Sequence, residues 1–225
     1  MSDDKSIAEK REDILERIAA AAKRAGRPAA DVTLVAVSKV QPDERIADML
    51  KAGQRVFGEN RVQEAQARWG ERFAERRENI ELRLIGPLQT NKAEEAVKLF
   101  DVIETLDREK LAKALLKAAD KAGRLPRLLV QVNTGDEVQK SGIAPKDLGA
   151  FLARLKSEYA FTPEGLMCIP PQDEAASPHF WLLKTLADEN GLKTLSMGMS
   201  QDFETAIEVG ASHVRVGSAL FGARI

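Results

Sequence analysis

The chain has 225 residues, 44% of them hydrophobic, which is enough to bury a full core. Its 34 basic and 35 acidic residues leave a net charge of −1 with no basic block, arguing against nucleic acid or a membrane surface as partner. One cysteine, Cys168, and two histidines, His179 and His213, exclude an internal disulfide and offer no metal-ligand cluster, so no metal is expected.

An amphipathic helix is predicted over roughly 4–25, with Ile7, Ile14, Ile18 and Ala22 on one face and Gly26 and Pro28 as its stop. A regular alternation of strand and helix follows. Strands are predicted at Thr33–Ser38, Arg55–Gly58, Leu82–Gly86, Val102–Thr105, Leu128–Val132, Gly165–Ile169, Thr194–Met197 and Val214–Gly217. Between them, Pro42 opens a helix with Asp43 and Glu44 in its first turn and Gly53 as its stop. Leu111, Leu115, Ala118 and Ala122 mark the buried stripe of another, closed by Gly123. Ser177-Pro178 reads as the N-cap and first residue of a helix that Gly191 closes, and Gly210 closes one more.

The strands are short, apolar and mostly without alternation, as in a parallel sheet covered on both faces. Eight βα units in ~200 residues fit an α/β fold consisting of a single (β/α)8 TIM barrel with an extra N-terminal helix. An open doubly wound sheet is the alternative that periodicity leaves open. One domain over 1–225 is expected, with 1–30 as the helix and 31–225 as the barrel.

In such a barrel the C-terminal strand ends form the working face, and the loops after the last two strands commonly hold phosphate. The first strand delivers Lys39 to that face, and a lysine leaving a buried strand needs a partner or a reaction. Gly198 and Gly217 would let backbone N–H groups approach an anion. Ser200 and Ser218 add hydroxyls, and Ser200 stands as an N-cap before Gln201. Strands one and eight are neighbours in a closed barrel, so Lys39 and Ser218 would share one mouth. Arg215 lies between Val214 and Val216, where a guanidinium facing the helices would be buried unpaired; it is read as pointing inward to a ligand. An amine facing a phosphate site suggests pyridoxal phosphate (PLP). Plainer readings stand beside these: Lys39 snorkelling to solvent, Ser200 as a cap alone, Gly217 as a packing aid.

Racemisation needs acid and base groups on opposite faces of the substrate carbon. Tyr159 ends a helix and His213 opens a strand, so both fall at the wrong end of a barrel, and Cys168 reads as core. His179 starts a helix on the working side and is the one aromatic side chain placed to act as acid or base, a solvated helix-end histidine being the plainer reading. The polar 133–142 loop follows the fifth strand, where a lid or exchange surface competes with an ordinary solvated loop.

The segments Val35-Ala36-Val37-Ser38-Lys39, Phe57-Gly58-Glu59-Asn60-Arg61-Val62-Gln63-Glu64 and Leu84-Ile85-Gly86-Pro87-Leu88-Gln89-Thr90-Asn91-Lys92 resemble the pyridoxal phosphate homeostasis protein family. So do Gly165-Leu166-Met167-Cys168-Ile169-Pro170, Leu195-Ser196-Met197-Gly198-Met199-Ser200 and Val214-Arg215-Val216-Gly217-Ser218-Ala219-Leu220-Phe221-Gly222. The resemblance implies a fold type III PLP-binding barrel, similar to the barrel domain of alanine racemase without its second domain. It implies that Lys39 forms the Schiff base with PLP and Arg215 faces the pyridine nitrogen. Ser200, Gly217 and Ser218 would hold the phosphate, and Asn60 would line the pocket near the ring. Ser218 stands where threonine is more usual, and the Leu82-Arg83-Leu84 entry lacks a histidine associated with many relatives.

The expected function is therefore PLP binding in vitamin B6 homeostasis without catalytic turnover, with no catalytic residue assigned. Its partners would be PLP and PLP-dependent client enzymes. The alternatives are a fold type III racemase or decarboxylase and, from another class, a class I aldolase using Lys39 on a sugar-phosphate carbonyl. No run reaches the ~18 apolar residues of a membrane span, and Met1-Ser2-Asp3-Asp4-Lys5 lacks the shape of a signal peptide; a cytoplasmic monomer is expected.

Overall fold

The computed structural model describes residues 5–137 and 139–222. The predicted helix start at Asp4, Val138 of the polar loop and the last three positions, 223–225, lie outside the described residues. Eight parallel strands close into a barrel in chain order: β1 Thr33–Val37, β2 Val56–Glu59, β3 Glu81–Leu84, β4 Val102–Leu106, β5 Arg127–Gln131, β6 Gly165–Met167, β7 Thr194–Met199 and β8 His213–Val216. The pairing of β1 with β8, in which Val35 meets Arg215 and Ala36 meets Val216, closes the ring and removes the open-sheet alternative.

The helices are α1 Ile7–Arg24, α2 Asp43–Lys51, α3 Val62–Ala65, α4 Ala93–Leu99, α5 Glu109–Ala122, α6 Leu148–Tyr159, α7 Ala176–Glu189, α8 Phe203–Val209 and α9 Ser218–Phe221. The α3 turn runs on as a π-helix over Gln66–Arg72. Helix α1 starts on a capping box: Ser6 Oγ accepts from the Glu9 N–H at 3.2 Å, and Glu9 Oε2 accepts from the Ser6 N–H at 2.8 Å. It packs against α2, α8 and α9, with Arg17 and Arg24 pairing with Glu204 and Glu208 of α8 at 2.8 and 2.6 Å. The extra helix thus straps the seam where the first and last βα units meet.

Alternate residues divide between two layers, because side chains on a strand point to opposite faces. Leu34 and Ala36 of β1, Leu82 and Leu84 of β3, and Val214 and Val216 of β8 join the main core between barrel and helices. Val102, Leu129 and Met167 form a separate small cluster inside the barrel. Arg83, Glu104 and Arg215 are also buried in that interior, with Ser196 between the last two.

Three local expectations are corrected. The first strand ends at Val37, one residue before its predicted end at Ser38, so Lys39 sits in the turn that follows rather than directly after the strand. The helix read from Ser177-Pro178 begins earlier, at Ala176 after Ala175, because proline fits any first-turn position that lacks an intrahelical acceptor. Ser200 caps no helix: α8 begins at Phe203 after Asp202, whose Oδ1 accepts from the Met199 N–H at 2.6 Å. Gly198 also has a different reason to be glycine. It has φ +90, and a Cβ there would stand 2.5 Å from Ala206 Cβ and 3.0 Å from Phe203 Cα, so it admits α8 against β7.

Candidate functional site

The C-terminal strand ends open on a cavity of about 760 Å³. Lys39, Asn60, Ser200, Arg215, Gly217 and Ser218 all border it. Strand register brings them together: β1 and β8 are paired, so the turn after one faces the turn after the other. Ser200, after β7, accepts weakly from the Gly217 N–H at 3.4 Å and from Ser218 Oγ at 3.3 Å. Two hydroxyls and one N–H therefore converge at one end of the cavity, and their mutual bonds are long enough to yield to a better acceptor. Asn60 follows β2, where Gly86 admits its backbone: a Cβ on Gly86 would fall 2.2 Å from Asn60 O. Lys39 is half-buried in the turn beyond β1.

Arg215 is only 3% exposed and points into the barrel, as the placement between two valines required. Its Nη1 donates to Ser196 Oγ at 2.7 Å and its Nη2 to Cys168 O at 2.8 Å. Ser196 in turn donates to Glu104 Oε2 at 2.5 Å, and Glu104 Oε1 accepts from Arg83 Nε at 2.5 Å. Arg83 reaches Glu81 as well, at 2.5 Å. A buried chain of alternating charge thus runs through the barrel from its lower rim to the cavity. Burial alone would push the Glu104 carboxyl up; Arg83 and Arg215 outweigh it and hold the group below its ordinary value of 4.5. The chain fixes both the charge and the orientation of Arg215.

Reading the sequence missed Arg83, Glu104 and Ser196. The signal that found Arg215 also marks Arg83 between Leu82 and Leu84 and Glu104 after Val102-Ile103: a charge inside an apolar strand must point inward to a partner. The third strand contributes Arg83 to this chain, and Ile85 just beyond it borders the cavity.

His179 differs from its reading as a solvated helix-start residue. It is 7% exposed, with Nδ1 3.1 Å from Thr134 O and Nε2 3.1 Å from Glu174 Oε2, and so ties the loop after β5 to the loop after β6. These two loops, which local sequence does not bring to it, meet its ring. The ends of the 133–142 loop are pinned: Ile143 bridges Val132, and the Gly142 N–H donates to Asp107 Oδ2 at 3.2 Å. Its Lys140 borders the cavity, as do Glu174 and Asp202. Tyr159 and His213 lie at the far end from the cavity, on the last turn of α6 and the first residue of β8. The buried Cys168 thiol is pushed up to about 12, chiefly by burial, and is inert. Among the described residues no cluster of His, Cys, Asp or Glu is arranged to hold a metal, and no helix is long and apolar enough to cross a membrane.

The family model described as alanine racemase, N-terminal domain, matches residues 11–225. The pyridoxal phosphate homeostasis protein of Pseudomonas aeruginosa is 43% identical over 226 residues, covering 97% of this chain and 96% of that protein. PipY of Synechococcus elongatus, solved without PLP, superposes with a TM-score of 0.81 at 40% identity, covering 93% of this chain and 100% of that one. The PipY structure with PLP bound gives a TM-score of 0.79 at 38% identity, with 96% and 100% covered. Alanine racemase of Clostridium difficile shares the fold alone, at TM-score 0.67 and 17% identity, with 94% of this chain matching 57% of that one. With the closed barrel, the converging donors and near full-length identity in agreement, the chain belongs to the pyridoxal phosphate homeostasis protein family.

Proposed function

We propose that this chain binds pyridoxal 5′-phosphate, held covalently through Lys39, and serves vitamin B6 homeostasis as a carrier rather than a catalyst. One juxtaposition carries the reading: the Lys39 side chain and the Ser200, Gly217 and Ser218 donors border the same cavity, with Arg215 in its wall. That donor set fits a phosphorylated aldehyde, and the PLP-bound form of PipY supports the choice of ligand. When bound, the group supplies an aldehyde that condenses with a primary amine and a pyridine ring that withdraws electrons.

The protein's own residues do the rest. Lys39, in its uncharged form, would be the nucleophile. Ser200 Oγ, Ser218 Oγ and the Gly217 N–H hold and orient the phosphate, and Asn60 lies across the mouth beside the ring. Arg215 would face the pyridine nitrogen. A guanidinium donates a hydrogen bond yet keeps its proton, so the nitrogen would stay unprotonated and the ring would withdraw fewer electrons than it would beside a carboxylate.

Holding rather than turnover is also supported by the other charged groups at the cavity wall, which are occupied. Glu174 faces His179, Asp202 accepts from Met199, and Lys140 pairs with Glu137 at 2.6 Å. On this reading the protein works as a cytoplasmic monomer that passes PLP to client enzymes.

Borohydride reduction followed by peptide mass spectrometry tests it. Wild-type protein mixed with PLP turns yellow and carries the reduced adduct on Lys39, and Lys39→Ala does neither. Protein that stays colourless in excess PLP refutes the reading. Lys39-dependent exchange of an amino acid's α-hydrogen with deuterated water refutes the non-catalytic part alone.

A further inference from the structure

The turn that carries Lys39 is strained. Val40 sits at φ +59 with its side chain 59% exposed, so a β-branched residue is held in the left-handed region without packing to keep it there. Its flanks are held instead. The Gln41 N–H donates to Ser38 O at 3.2 Å, closing the turn over Lys39 and Val40. From the π-helix, Arg68 grips both ends, with Nη1 donating to Ser38 O at 3.0 Å and Nη2 to Gln41 O at 2.8 Å.

Arg68 is itself fixed. It is 5% exposed, and Nη1 also donates to Glu59 Oε1 at 2.6 Å. The same oxygen accepts from Ser38 Oγ at 2.7 Å and from Trp69 Nε1 at 3.1 Å. Glu59 is fully buried at the end of β2, so the clamp is anchored in the barrel wall. Consecutive side chains of a widened helical turn, Arg68 and Trp69, thus converge on one carboxylate.

We propose that Arg68, anchored on Glu59, is a positioning residue that holds the strained Ser38–Gln41 turn and so aims the Lys39 amine at the bound aldehyde. The inference rests on the function proposed above. Condensation joins the amine nitrogen to the aldehyde carbon as a C=N bond, and the aldehyde oxygen leaves as water. Only this covalent bond depends on where the turn points; the phosphate and ring contacts come from other strands. A planar guanidinium spans two carbonyls and a carboxylate at once, and an ammonium does not.

The test compares two ligands by titration: PLP, and pyridoxine 5′-phosphate, which has the same ring and phosphate but an alcohol in place of the aldehyde. Arg68→Lys weakens PLP binding about tenfold and slows borohydride-trapped adduct formation at Lys39, while affinity for pyridoxine 5′-phosphate changes by less than about twofold. Val40→Gly added to Arg68→Lys restores PLP binding to within about threefold of wild type, because glycine adopts the left-handed turn without a clamp. Val40→Gly alone leaves both affinities unchanged and does not lower the melting temperature, a result available even if Arg68→Lys fails to fold.

Parallel weakening of both ligands by Arg68→Lys, or PLP binding that is unaffected by it, overturns the positioning role. A lower melting temperature in Val40→Gly, or no rescue in the double variant, overturns the strained-turn argument. Wild-type protein that binds pyridoxine 5′-phosphate but forms no adduct with PLP refutes the Lys39 reading itself.

Discussion

Glu104→Gln is the sharpest test of the charged chain inside the barrel. Glu104 is fully buried and balances two guanidiniums: Arg83 directly at 2.5 Å, and Arg215 through Ser196. Removing one partner of a buried ion pair costs ~3–5 kcal/mol, because the charge left behind stays desolvated. The isosteric amide keeps one acceptor oxygen for either Arg83 or Ser196, and Arg83 keeps Glu81, so the low end applies: about 3 kcal/mol, or ~6–12 °C in melting temperature for a chain of this size. Urea denaturation followed by circular dichroism measures it. The pH dependence gives an independent check. The folded-state pKa of Glu104 lies below its ordinary 4.5, so its contribution is fully present above that value and is lost as pH falls through the folded one. The gap between wild type and variant therefore holds above the ordinary value of 4.5 and narrows as pH falls below it toward the depressed folded value, where wild-type Glu104 takes up its proton and becomes neutral like glutamine. A loss under about 1 kcal/mol at neutral pH, or a gap that stays constant into acid, refutes the reasoning.

Three further outcomes follow from single residues. Burial, and then Arg83, pushes the His213 imidazole down to about 4 from 6.5, so the unfolded chain takes up a proton that the fold refuses as pH drops between those values. Stability falls by up to ~3 kcal/mol across that window, His213→Asn flattens the slope in urea titrations, and an unchanged slope contradicts the assignment. Gly198→Ala adds a Cβ against Ala206 at a left-handed backbone position and costs ~1–3 kcal/mol by thermal melting; a variant as stable as wild type shows that α8 can move aside. Ser200→Ala removes one hydroxyl from the converging donors and weakens PLP about tenfold while leaving unphosphorylated pyridoxal within about twofold; equal losses on both ligands place the phosphate elsewhere.

Runs such as Thr33-Leu34-Val35-Ala36-Val37, glycine stops at Gly53 and Gly123, and the repeated strand–helix rhythm determined eight βα units from sequence alone, because segment length, chain reversals and apolar patterning are local properties, whereas closure into a barrel rather than an open sheet was decided by the β1–β8 pairing. The site's outline was equally legible: Lys39 and Gly217-Ser218 follow strands that must be neighbours once the ring closes. What sequence could announce about buried charge was its cost, not its partner. Arg215 in an apolar strand demanded an inward ligand, yet its protein-side support, Ser196 and Glu104, comes from strands 19 and 92 positions apart in their linking bonds. The same holds for Arg68, whose partners Ser38 and Gln41 lie 30 and 27 positions away, and for His179, which packing rather than helix position buries. Only tertiary structure decides such pairings, since a desolvated charge is stabilised by whichever group the closed register brings within hydrogen-bond distance, and register and closure belong to the whole chain.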